Sequence, residues 1–178
     1  MKHLQIGARA KISVTMMAGA LLISAIASPA AAEAVRWRTI IGVAQAANLV
    51  GNIGGGGQPW STLGGEAKVD LATGRVEFEV EGLVLAGGNT VGNTGGVNQV
   101  KGTLVCIVPI VPATNPPTVS TVAIDTDLVP LSPEGDAKFS GMISTNPACN
   151  SSNVAFLVRI AANRWIANGA VRTISKDQ

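Results

Sequence analysis

Lys68-Val69-Asp70-Leu71-Ala72-Thr73-Gly74-Arg75-Val76-Glu77-Phe78-Glu79-Val80-Glu81 alternates apolar and charged residues on both sides of a short turn. Side chains of a strand point to opposite faces in turn, so this pattern reads as a β-hairpin buried on one face. Val69, Leu71, Val76, Phe78 and Val80 form the inner face. Lys68, Asp70, Arg75, Glu77, Glu79 and Glu81 form the outer one. Setting Leu71 against Val76 places Lys68 across from Glu79, which relieves the acidic stripe.

Six further stretches read as strands: residues 35–43, 99–108, 118–125, 137–143, 154–160 and 164–174. Segments rich in Gly, Asn and Pro separate them, at 48–58, 86–98, 109–117, 128–135 and 146–153. No stretch keeps a 3.6-residue apolar period. The sole helix candidate, 43–49, is shorter than a helix that stands on its own. Seven or eight short strands in one domain imply an antiparallel β-sandwich or barrel. The run Asn52-Ile53-Gly54-Gly55-Gly56-Gly57 reads as flexible backbone, and residues 87–96 as a tight, irregular turn.

The 178 residues are 47% hydrophobic and 13% charged, with two Cys, one His and no Tyr. Three of the 13 basic residues (Lys2, Arg9, Lys11), and His3, fall within residues 1–32, which hold no acid. That segment has a basic start, an apolar run over 12–28, then Pro29 and Ala30-Ala31-Ala32. It reads as a signal peptide cleaved after Ala32, with Ala34 as the alternative site. An uncleaved anchor is the competing reading, but the run is near the lower limit of a span and ends in a cleavage-type motif. The absence of Cys at the cut speaks against a lipoprotein, and the alanine-rich leader has a bacterial character. The expected organisation is a signal peptide over 1–32 and one β-domain over 33–178, secreted or periplasmic. No transmembrane segment is expected after cleavage. The remaining 146 residues carry ten basic and eleven acidic side chains, a balance that attracts no nucleic acid by charge.

In an oxidising compartment Cys106 and Cys149, 43 residues apart, are expected to pair as a structural disulfide. A redox or zinc site is the alternative, but there is no C-x-x-C and no histidine beside them. Without histidine after His3, Ser-His-Asp, Cys-His and His-based metal chemistry are excluded from the mature chain. Carboxylates remain. Glu77, Glu79 and Glu81 share a strand face and are the candidates for a polysaccharide hydrolase, set against their reading as a solvated stripe. Lys138 and Ser140, two apart on a strand, carry little specificity. The glycine run lacks the G-K-[ST] and following helix of a phosphate loop. Asp125, Asp127, Glu134 and Asp136 lack the spacing of a calcium loop and read as turn chemistry. Asn150-Ser151-Ser152 fits a glycosylation sequon, incidental in a bacterium. No cofactor is expected.

Phe78, Phe139 and Trp165 alternate with polar residues and read as core, Trp165 together with Ala167 and Val171. Trp60 follows the glycine run: it either plugs the end of the sandwich or offers a stacking surface. With Asn89, Asn93 and Asn98 it defines the candidate ligand loop.

The segment Gly65-Glu-Ala-Lys-Val-Asp-Leu-Ala-Thr-Gly-Arg-Val-Glu-Phe-Glu-Val-Glu-Gly-Leu83 resembles the opening hairpin of CHRD-type domains, and the likeness runs on loosely into Val100-Lys-Gly-Thr-Leu-Val-Cys106. The resemblance implies a secreted immunoglobulin-like or CHRD-like β-sandwich. Such domains carry a histidine motif after this hairpin, whereas residues 86–96 contain none, so any histidine-dependent function does not transfer. The expected function is a non-enzymatic structural or ligand-binding module that meets a cell-envelope or extracellular ligand. The leader predicts that the exported protein begins at Glu33. N-terminal sequencing or intact mass checks this, and a chain that still starts at Met1 contradicts it.

Overall fold

The computed structural model describes residues 33–109 and 119–176. Residues 1–32, where a signal peptide is expected, residues 110–118 and residues 177–178 lie outside them. The chain forms β1 (Glu33–Gly42), β2 (Leu49–Val50), β3 (Ile53–Gly54), β4 (Trp60–Ser61), β5 (Gly64–Asp70), β6 (Arg75–Glu81) and β7 (Val84–Leu85). It continues with β8 (Gln99–Pro109), β9 (Val119–Asp125), β10 (Val129–Pro130), β11 (Ala137–Met142), β12 (Val154–Ile160) and β13 (Trp165–Lys176). Among the described residues there is no helix, and hence none long and apolar enough to cross a membrane. Of residues 43–49, 44–47 are bends and a turn and Leu49 already belongs to β2. Ala47 adopts φ 60°, and its N–H donates to Gly56 O at 2.9 Å, so this segment bonds to the glycine run rather than to itself.

Nine strands make one antiparallel sheet in the order β10, β8, β12, β13, β1, β5, β6, β11, with β9 also paired to β8. The two ends, β10 and β11, are consecutive in the chain and joined by residues 131–136. This connection also anchors the end of β6: Gly82 N–H donates to Asp136 Oδ1 and Leu83 N–H to Gly135 O, at 2.9 and 2.8 Å.

Ring contacts show how far the sheet curls. Phe156 on β12 and Phe78 on β6 are separated in the sheet by β13, β1 and β5, yet their ring centroids lie 5.6 Å apart. Trp37 of β1 stands 5.6 Å from Phe156, and Phe139 of β11 stacks 5.9 Å from Phe78. Gly102 of β8 makes the room: a Cβ there would sit 2.8 Å from Phe156 Cζ and 2.9 Å from Phe78 Cδ1. The sheet thus folds over itself into a half-barrel around Val35, Val69, Val80, Val100, Leu104 and Val158, all buried.

The hairpin forms as its alternation requires, with a register two residues from the expected one. Val69, not Leu71, faces Val76, and Lys68 faces Glu77 rather than Glu79. Asp70 causes the difference. Its Oδ1 accepts the N–H groups of Ala72 and Thr73, each at 2.9 Å, and its carbonyl accepts Gly74 N–H at 2.8 Å. These bonds draw Leu71 into the turn, with Gly74 at φ 82°. A shift of two keeps both faces intact. The bond from Thr73 N–H is also the main reason the Asp70 carboxyl lies below its ordinary 3.8.

Val171 departs from the expected core. Trp165 and Ala167 are buried, but Val171 is 65% exposed with φ 51°. The β1–β13 register skips Arg38/Val171, and burial on β1 changes parity there, from Val35 and Trp37 to Ile40 and Gly42. Phe139 is half-buried, packed against the core rather than within it.

The Cys106–Cys149 disulfide joins β8 to the turn before β12, with Cα atoms 5.3 Å apart and 43 residues between them in sequence. Closing a loop of that size contributes about 4 kcal/mol in the chain-entropy account. Cys106→Ser is therefore expected to lower the free energy of unfolding by several kcal/mol, with a lower denaturant midpoint, and to expose Cys149 to alkylation. Thiol titration of the purified protein under denaturing, non-reducing conditions should find no free thiol. Two free thiols contradict the disulfide.

Candidate functional site

The open end of the half-barrel is built by two loops that meet over Trp60. β1 ends at Gly42, where the backbone passes so close to Trp60 that a Cβ would lie 2.2 Å from Trp60 O. Trp60 N–H donates to Val43 O at 2.8 Å. Residues 43–58 then turn back along β13. Gly55 N–H donates to Asn48 O at 2.7 Å, Gly56 N–H to Trp165 O at 2.8 Å, and Trp165 Nε1 to Asn48 O at 3.0 Å. The glycine run is thus strapped by hydrogen bonds to Asn48 and Trp165. Gly56 lies so close that an added Cβ would stand 3.2 Å from Ile166 Cγ2.

The second loop, 86–98, is held by its own asparagines. Leu85 N–H donates to Asn93 O at 2.9 Å, Gly95 N–H to Asn93 Oδ1 at 2.8 Å, and Leu131 N–H to Asn98 O at 2.9 Å. β4 pairs with β7, setting Trp60 against Leu85. Where the loops meet lies a depression of about 190 Å³. Trp60, Leu85, Ile160 and Ile166 form its floor; Gly57, Thr94, Gly95, Val97 and Arg164 are among its rim residues.

Of the candidate ligand residues, Trp60 lines this depression, only 6% exposed and packed into the core. Asn89 stands exposed on the loop, and Asn93 and Asn98 shape it; none of the three asparagines lines the depression. Arg164, Thr94 and Val97 are additions that sequence reading passed over. Arg164 closes a four-residue turn in which Asn163 has φ 64°, and only the fold carries that turn to the loop end. Its Nη1 reaches Gly55 O at a long 3.4 Å, and no carboxylate pairs with it among the described residues.

No family model, no curated protein and no solved structure matches the chain.

Glu77, Glu79 and Glu81 project from the outer face of β6. Arg75 pairs with Glu77 at 3.0 Å, Lys138 with Glu79 at 2.9 Å, and Arg36 with Glu66 on the neighbouring strand. The hydrogen bond to Glu79 is the main cause that holds the Lys138 ammonium above its ordinary value. This face is an alternating lattice of charges around an open trough of about 420 Å³. Ser140 lies beside Lys138 on its edge.

A third polar group sits on the outer side of β8, β9 and β12. Asp125 accepts from Lys101 at 2.6 Å, Thr103 at 2.7 Å and Arg159 at 2.9 Å. Arg159 is 7% exposed and also donates to Asn163 O. Burial pushes the Asp125 carboxyl up, but hydrogen bonds from Lys101 and Thr103 and the charges of Arg159 and Lys101 outweigh it and leave it below 3.8. Among the described residues no three His, Cys, Asp or Glu side chains come together to hold a metal. Asp136, another of the calcium candidates, instead caps Gly82.

Because the folded-state carboxyl of Asp125 is depressed, its contribution is complete above the unfolded value and disappears as pH falls through the folded one. Asp125→Asn is expected to cost about 1–3 kcal/mol at pH 7, since Arg159 stays buried without its counter-charge. It should also flatten the acid limb of stability. Urea denaturation from pH 3 to 7 checks both.

Proposed function

We propose that the protein is an exported, non-enzymatic β-module that binds a ligand or surface at the loop end of its half-barrel. The observation that carries this reading is the convergence of Trp60, the 86–98 loop and Arg164 on one depression above a rigid sheet. Binding residues concentrate on loops that a scaffold positions, and function is a property of such sites rather than of the fold. The basic and apolar leader, with the Cys106–Cys149 disulfide, supports export to the periplasm or medium. The CHRD-type likeness of the 65–83 hairpin points to the same fold type and compartment. A hydrolase using Glu77, Glu79 and Glu81 is the weaker reading, because Glu77 and Glu79 are already engaged by Arg75 and Lys138.

Titrating ¹⁵N-labelled exported protein with fractionated envelope glycans and peptides distinguishes the two. Shifts are expected to cluster at Trp60, Thr94, Gly95, Val97 and Arg164. Shifts confined to the Glu77/Glu79 face, with release of sugar, overturn the proposal in favour of the hydrolase. No shift with any fraction leaves a structural role only and overturns the binding reading.

A further inference from the structure

We infer that the depression at the loop end takes a compact carboxylate carrying an aliphatic body, an assignment that rests on the binding reading above. Charge selects the sign. Arg164 is the one charged residue on its lining, and no acid lines it. The guanidinium has five N–H donors in a planar fork that matches a carboxylate. Within the described protein it spends one of them, on the long contact to Gly55 O.

A second donor faces the same space. A buried tryptophan ordinarily finds an acceptor for its indole N–H. Trp60 is 6% exposed, and among the described residues its Nε1 makes no hydrogen bond, while that of Trp165 donates to Asn48 O. No fully buried side-chain nitrogen or oxygen is left without a partner, so the Trp60 N–H is reached from outside. The way in is the depression: Nε1 stands 3.6 Å from where a Gly56 Cβ would be.

Shape and polarity narrow the class further. The floor offers Leu85, Ile160 and Ile166 to an aliphatic body, with Val97 at the side. The volume of about 190 Å³ equals roughly six waters' share of liquid, room for a branched acid of a few carbons. One guanidinium and one indole N–H suit the two oxygens of a carboxylate. A phosphate dianion asks for more cations than this lining holds.

The probe is 4-methylpentanoate against its neutral amide, each titrated into the exported protein and followed by the indole N–H resonance, assigned with Trp60→Phe. The acid is expected to bind at about millimolar concentration, about tenfold tighter than the amide, and to move the Trp60 indole signal. Arg164→Gln should remove that preference, so that acid and amide bind alike. Gly57→Leu should abolish both, because Gly57 lines the depression and a Cβ there meets nothing within 4 Å, so the backbone takes the larger side chain without a clash. The backbone spectrum of each variant reports its folding. Equal binding of acid and amide by the unmodified protein overturns the carboxylate assignment while leaving the site intact. Unimpaired binding to Gly57→Leu moves the site elsewhere and overturns the reading beneath it. No binding of the acid at tens of millimolar overturns the assignment.

Discussion

A sheet meets its own far side where Gly102 lies against Phe78 and Phe156. Strands are twisted, and a long antiparallel sheet curls until its apolar face is covered. Here the approach of β8 to β6 is set by the space a side chain at residue 102 would occupy. With only hydrogen at that position, Phe78 and Phe156 touch across three intervening strands. Trp37 and Phe139 extend the contact to β1 and β11. Aromatic pairs of this kind add about 0.5–1.5 kcal/mol each beyond the area they bury. The short connection from β10 to β11 fixes the two ends that these contacts hold near each other, while the disulfide ties the turn before β12 to the adjacent β8.

The loop end inherits its shape from that closure. Gly42 lets β1 run directly under Trp60, and Trp60 in turn pairs with Leu85, so the indole belongs to the core and to the floor of the depression at once. Arg164 follows from the tight return between β12 and β13. That return carries the guanidinium past the strapped glycine run, and on its far side it borders a trough shared with Arg159 and Asn163. Arg159 is neutralised by Asp125, whereas Arg164 is left to the solvent. Two arginines five residues apart thus do different work.

Much of the scaffold was legible because its cause is local. Residues 154–160 and the 99–108 run form strands within a residue of the expected limits, since alternation and flanking Asn, Gly and Pro act over short distances. The hairpin register was not legible, because it depends on one carboxylate: Asp70 can cap a turn only where the turn places two N–H groups before it. Val171 could not be foreseen, because alternation assumes an unbroken ladder and the ladder breaks at that residue. The glycine run is the loop expected between the first strand and the hairpin, but its contacts are not legible from composition. Glycine permits flexibility, but it equally permits the close approach to Trp165 and Ile166 that occurs. At the site, Trp60 stands out by composition, whereas Asn89, Asn93 and Asn98 belong to the loop without lining the depression. Asn93 uses its side-chain oxygen on Gly95 N–H within the loop, Asn98 O accepts from Leu131 N–H, and the arginine that lines the depression lies far away in sequence.

The most direct test of the curled sheet is a double-mutant cycle between Gly102 and Phe78, measured by urea denaturation. Gly102→Val alone is expected to cost about 1–3 kcal/mol by overpacking, and Phe78→Leu alone to cost stability through lost volume. If β8 and β6 face each other as described, Phe78→Leu makes room for the new side chain. The pair then costs less than the two separate costs together by at least about 0.5 kcal/mol. Strict additivity would place these residues apart and contradict the closure on which the rest of the structure depends.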